Sequence, residues 1–141
     1  MDAAIAGNDL AALNAVFAVR PQLLAVVLFG SRFDGRQRFA SDLDLAILGQ
    51  SQLTAGQRYD LIEAISQVAG VPVDLIDLNQ EYGFVAHEAL TKGKLIFCRD
   101  RAAYAERLRR MVYDAEDFLP LLRRGYSDAI RQCLETSYAP K

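Results

Sequence analysis

The chain has 141 residues and a formal net charge of −2, a size that suits one domain with its own core. Hydrophobic residues make up 52% and charged residues 24%, which excludes a disordered chain. The acidic balance excludes a generally basic nucleic-acid surface, because neutralising phosphates takes clustered Lys and Arg.

The N-terminus lacks the basic region of a signal peptide. Asn8 and Asp9 cap a short helix to about Ala18, ended by Arg20-Pro21. Leu23 to Phe29 (LLAVVLF) is a continuous apolar run stopped by Gly30, and reads as a strand buried on both faces. Ser31 to Ala40 is polar and Arg-rich, a short helix and loop. Asp42 to Leu48 (DLDLAIL) is a second strand, ended by Gly49. Thr54 caps a helix to about Ala69, with Leu61, Ile62, Ile65 and Val68 at helical spacing and Gly70 as C-cap.

Val71 to Leu78 is a third strand. Pro72 marks that end as a sheet edge or a strand beginning. Asn79 caps a helix from about Glu81 to Thr91, and Lys94 to Cys98 is a short fourth strand. Beyond it, Tyr104, Leu108, Met111, Ala115, Phe118 and Leu122 form a helical apolar stripe, kinked or broken near Pro120. A last short helix spans about Ser127 to Thr136. No apolar run is long enough to span a membrane.

This pattern predicts an α+β fold with a small mixed sheet of about four strands, flanking helices and a C-terminal helical tail. Too few residues join the first two strands for a long crossover helix, hence the mixed sheet. Charge divides the chain similarly. Up to Cys98 there are 7 basic and 11 acidic residues, a balance of −4; beyond it there are 9 and 7, a balance of +2. We take residues 1–98 as the core domain and 99–141 as helices packed on the core or on a partner.

The chemistry concentrates in LFGSRFDGRQRFASDLDLAIL. A strand runs into Gly30-Ser31 and then into a predicted helix, whose free N–H groups attract anions. Glycine admits a phosphate close to the backbone, and the Ser31 hydroxyl can donate to it. Asp42 and Asp44 stand two apart on a strand and so share a face, with Cα atoms about 6.6 Å apart. Two carboxylates beside a phosphate cradle suit Mg²⁺. Leu43, Leu45 and Ile47 take the opposite, core face.

A third carboxylate is expected from the next strand. Asp74 and Asp77 have opposite parity, and parity alone does not say which faces Asp42 and Asp44. Asp74 is mid-strand between apolar neighbours, where a buried carboxylate would need a metal or a proton. Asp77 reads as a terminal capping or surface residue.

This stretch resembles the signature of the minimal nucleotidyltransferases (MNT), within the polymerase β-like nucleotidyltransferase superfamily: a hydrophobic strand, Gly-Ser, about ten residues, then Asp-x-Asp in a hydrophobic run. VPVDLID resembles the family's later strand and assigns the third carboxylate to Asp74. The resemblance covers roughly residues 23–98. The small size and helical tail resemble the antitoxins of HEPN/MNT toxin–antitoxin systems.

The resemblance implies a polymerase β-like nucleotidyltransferase fold and a cytoplasmic Mg²⁺-dependent protein adenylyltransferase, moving AMP from ATP to a tyrosine of a HEPN RNase toxin. It implies two Mg²⁺ ions on Asp42, Asp44 and Asp74. Gly30 and Ser31 would hold the triphosphate, with Arg32, Arg36 or Arg38 neutralising pyrophosphate; Arg32 is taken as nucleotide-binding. Asp74 would also accept the proton of the attacking hydroxyl.

Other readings compete. Gly-Ser alone is common turn punctuation, and Asp-x-Asp alone is usually a solvated strand face. The lone histidine, His87, reads as a surface or partly buried helix residue. Cys98 and Cys133, too few for a disulfide framework or a zinc site, read as small core residues in a reduced, cytoplasmic setting. The C-terminal stripe either packs on the domain itself or binds a partner. The latter would suit an antitoxin that works by occlusion alone. A transferase for small molecules or RNA is a further alternative, though 141 residues leave little room for an acceptor pocket.

Overall fold

Aliphatic runs punctuated by glycine build a four-stranded sheet, and amphipathic segments cover both of its faces. The structure is a computed structural model that describes residues 7–30, 43–80, 83–114 and 128–136. Its elements are α1 (Gly7–Ala18), β1 (Leu23–Phe29), β2 (Leu43–Gly49), α2 (Ala55–Ala69), β3 (Val73–Asp77), α3 (Phe84–Lys92), β4 (Lys94–Cys98), α4 (Arg101–Asp114) and α5 (128–135).

The sheet order is β3-β2-β1-β4. β1 pairs antiparallel with β2 and with β4, while β2 and β3 are parallel and joined through α2. The mixed sheet expected from the short β1–β2 connection is therefore present.

Strand parity sorts the core into two layers. On one face Val26, Leu28, Leu43, Leu45, Ile47, Leu75 and Phe97 pack with Leu13 and Phe17 of α1 and Leu61 and Ile65 of α2. On the other, Val27, Ala46, Leu48, Leu95 and Cys98 meet Ala86, Ala89 and Leu90 of α3, Tyr104, Leu108 and Met111 of α4, and Ala129 and Cys133 of α5. β1 is buried on both faces, as its unbroken apolar run predicts.

The described part of the C-terminal stripe, Tyr104, Leu108 and Met111, is buried on the domain's own sheet. These three residues offer no partner surface. Ala115, Pro120, Phe118 and Leu122 lie outside the described residues.

Local signals set the boundaries of α2. Thr54 and Gln57 form a reciprocal capping box, and Gly70 closes the helix in the left-handed region at φ 73°. The expected cap at Asn79 is absent. Its side-chain Nδ2 donates to Gly49 O (2.9 Å), tying β3's exit to β2, and α3 starts after Gly83 without a side-chain cap. Helix α1 is finished by a distant residue. Arg99 donates to Phe17 O, Ala18 O, Arg20 O and Leu23 O at 2.9–3.3 Å, satisfying carbonyls at the helix end.

Candidate active site

The site lies where β1 ends and β2 and β3 begin. Phe29, the last residue of β1, is the register partner of Asp44 on β2. Asp44 is in turn the register partner of Asp74 on β3. Adjacent strands run about 4.8 Å apart, and register partners share a face, so the two carboxylates are side by side. The start of β2 is pinned there, with Leu43 N donating to Pro72 O at 2.9 Å.

Gly30 lies against the Asp44 member of this pair. Its φ is +85°, a conformation L side chains rarely adopt. A Cβ built on it would fall 2.2 Å from Oδ2 of Asp44 and 3.0 Å from Cγ. Only glycine lets the chain leave β1 this close to the carboxylate. Sequence reading assigned Gly30 to close phosphate approach; its contact with Asp44 went unread. An antiparallel register set by the β1–β2 connection is the signal that would have found it.

The two carboxylates differ in exposure from what the sequence suggested. Asp74 is exposed, because β3 is an edge strand, and the expectation of a buried carboxylate is corrected. Asp44 is half-buried, near the partly buried Phe29 and Ile76 at the margin of the core.

Asp77 is the buried one, at 2% exposure. Its Oδ2 accepts from Leu53 N (2.8 Å) and its Oδ1 from Asn79 N (2.9 Å), so it fastens the end of β3 to the entry of α2. It is a capping residue as expected, but not a surface one. A cleft of about 320 Å³ opens beside it, lined by Arg58, Ile76, Asp77 and Gln80. Arg58 also donates to Leu75 O on β3.

Asp42, Ser31, Arg32, Arg36 and Arg38 lie outside the described residues. Among the described residues there is no group of three or more metal-ligating side chains. His87 is half-buried on α3, as expected. No described helix is long and apolar enough to cross a membrane.

The pair of like charges fits a divalent cation on two counts. Hard carboxylate oxygens are the donors Mg²⁺ prefers, and side-by-side anions repel unless a cation or a proton offsets them.

The strand, the glycine turn and the two aspartates on the next strands lie together in one part of the chain. Residues 12–102 match the family described as Polymerase beta, Nucleotidyltransferase, and the chain belongs to it. Over 77 residues it is 31% identical to the protein adenylyltransferase MntA of Shewanella oneidensis. The alignment covers 55% of this chain and 55% of that protein, so the chain spans about half the length of the curated relative it matches.

Two solved structures are similar in fold. A toxin–antitoxin with AMP-PNP aligns with a TM-score of 0.60 at 22% identity, over 84% of this chain and 97% of that one. A complex of tri-AMPylated Shewanella oneidensis HEPN toxin with MNT antitoxin aligns with a TM-score of 0.57 at 19% identity, over 82% and 94%.

Proposed function

We propose that the protein is an antitoxin that transfers AMP from ATP to a tyrosine hydroxyl of a HEPN-family toxin and thereby neutralises it. The observation that carries this reading is the register pairing of Asp44 with Asp74, with Gly30 packed against Asp44. The likeness to MntA supports the choice of acceptor class, since that protein is a protein adenylyltransferase. The cytoplasm, which supplies ATP, is the proposed place of action.

The chemistry is a substitution at phosphorus. The acceptor oxygen bonds to the α-phosphorus, the bond to the β-phosphate oxygen breaks, and pyrophosphate leaves. Gly30 and Ser31 hold the triphosphate, with Arg32 beside the leaving group. Asp74, exposed on the edge strand, stands where a bulky protein acceptor can reach it and takes the hydroxyl proton. Mg²⁺ held by Asp42, Asp44 and Asp74 would neutralise the charge on the transferring phosphoryl group.

The test is incubation of the protein with labelled ATP, Mg²⁺ and a purified HEPN-family toxin. Label should appear on a toxin tyrosine. Transfer that survives the combined Asp42→Asn and Asp44→Asn substitutions overturns the reading. Growth rescue by that double variant would instead favour occlusion.

A further inference from the structure

We propose that Arg58 and Gln80 dock the acceptor protein by taking an acidic side chain that lies close in sequence to the modified tyrosine. The inference rests on the transferase reading above and names the positioning residues that select the acceptor segment.

The sheet order says from which side the acceptor arrives. β2 stands between β1 and β3, so Asp44 has Gly30, at the end of β1, on one side and Asp74 on the other. With the triphosphate held at Gly30, pyrophosphate leaves towards β1. Attacking and leaving oxygens stand roughly in line across the phosphorus, so the acceptor hydroxyl comes from the side of β3. β3 is the outermost strand there, and Asp74 on it is exposed.

A cleft opens on that same edge. Ile76 follows Asp74 by two residues, shares its face and lies about 6.6 Å further along the strand. With Arg58, Asp77 and Gln80 it lines the cleft of about 320 Å³. An extended segment with its tyrosine at Asp74 carries a residue two positions away to this cleft, since both chains advance about 3.3 Å per residue.

The backbone aims both side chains. Arg58 follows the capped start of α2, where its N–H donates to Thr54 O at 2.9 Å. Gln80 is set by a turn in which its N–H donates to Asp77 O at 2.9 Å. A guanidinium has about five N–H donors to satisfy. Arg99 places its own on four carbonyls, and Arg20 meets Asp60 at 2.8 Å. Among the described residues, the half-buried Arg58 donates its side chain to Leu75 O alone and forms no ion pair.

A guanidinium fork beside a carboxamide donor matches a carboxylate, which accepts through two oxygens. The Asp77 carboxylate lines the same cleft. It repels a phosphate group, with its greater charge, more than it repels a single carboxylate.

The experiment measures initial rates of AMP transfer from labelled ATP to a purified HEPN-family toxin, with the full chain and Mg²⁺, varying toxin and ATP separately. Arg58→Gln should raise the KM for toxin about tenfold or more, while kcat and the KM for ATP stay within about twofold. Each Asp or Glu within about four residues of the modified tyrosine is then changed to Lys. One such toxin variant should restore the transfer that Arg58→Glu loses with the parent toxin, a rescue that a merely structural role of Arg58 would not give. An unchanged KM for toxin, an equal rise in the KM for ATP, rescue by none of the charge swaps, or a modified tyrosine with no acidic residue in that window would each overturn the docking site and leave the transferase reading standing. No transfer by the unaltered protein overturns both.

Discussion

Gly30 and Asp44 touch so closely that a single methyl group on the glycine would collide with the carboxylate, at 2.2 Å from Oδ2. Gly30→Ala must therefore move the turn, the aspartate or both. Misplacement of about 1 Å at a reacting centre costs on the order of 100-fold. We expect AMP transfer to fall by at least that much. The positive φ adds a penalty of about 1 kcal/mol, read as a modest drop in urea midpoint.

Asp74→Asn separates activity from stability in the opposite sense. Asp74 is exposed and stands beside a second carboxylate, so removing its charge relieves repulsion. Stability should stay within about 0.5 kcal/mol of the parent or rise slightly. AMP transfer should fall about 100-fold or more if Asp74 takes the proton. Parallel urea melts and initial rates measure both.

Asp77→Ala is the mirror case. It leaves the N–H groups of Leu53 and Asn79 without their acceptor in a buried place. Each such loss costs about 1–3 kcal/mol, so a destabilisation of roughly 2–5 kcal/mol is expected. The turnover of the fraction that remains folded should change little. A lowered urea midpoint with an unchanged m-value checks it.

The contrast between these aspartates marks where sequence reading stopped. Alternation along β3 separated Asp74 from Asp77, and the motif selected Asp74. Exposure went the other way from expectation because it depends on which strand is outermost, a property of topology and not of the strand's own residues. Asp77 is buried because two backbone N–H groups arrive from outside β3. The caps of α2 were readable because Thr54, Gln57 and Gly70 act on their own helix. Asn79 was misread because its partner, Gly49, is 30 residues away. β1 and β4 were found at their observed limits, since an apolar run bounded by glycine or charge needs no tertiary information.

Alkaline pH supplies a further prediction. The folded state holds Cys98 at about 11 against an ordinary thiol value of 9.0. Burial is the main cause, followed by the neighbouring Cys133. A group whose folded value is raised keeps its proton longer when folded, so unfolding releases that proton as pH climbs. The associated stability is fully present below pH 9.0 and is lost as pH rises toward about 11. Urea melts between pH 8 and 11 should show this decline, and it should be shallower in Cys98→Ala.

Arg99→Lys tests the remote capping of α1. A single ammonium cannot reproduce the forked contacts with the carbonyls of Phe17, Ala18 and Leu23, or the guanidinium stacked 5.4 Å from the Phe97 ring centre. A loss of about 1–3 kcal/mol is expected. Faster amide hydrogen exchange in the last turn of α1 would locate it.

The place of β4 beside β1 also carries a consequence for how the chain is made. β1 ends at Phe29, yet its second neighbour is complete only at Cys98, and the clasp on α1 arrives with Arg99. While the ribosome adds the intervening residues, LLAVVLF has one unzipped side. Such segments are the kind that stick to other nascent chains. The protein's period of greatest risk is thus a stretch of its own synthesis, and slower translation between positions 29 and 99 would lengthen it.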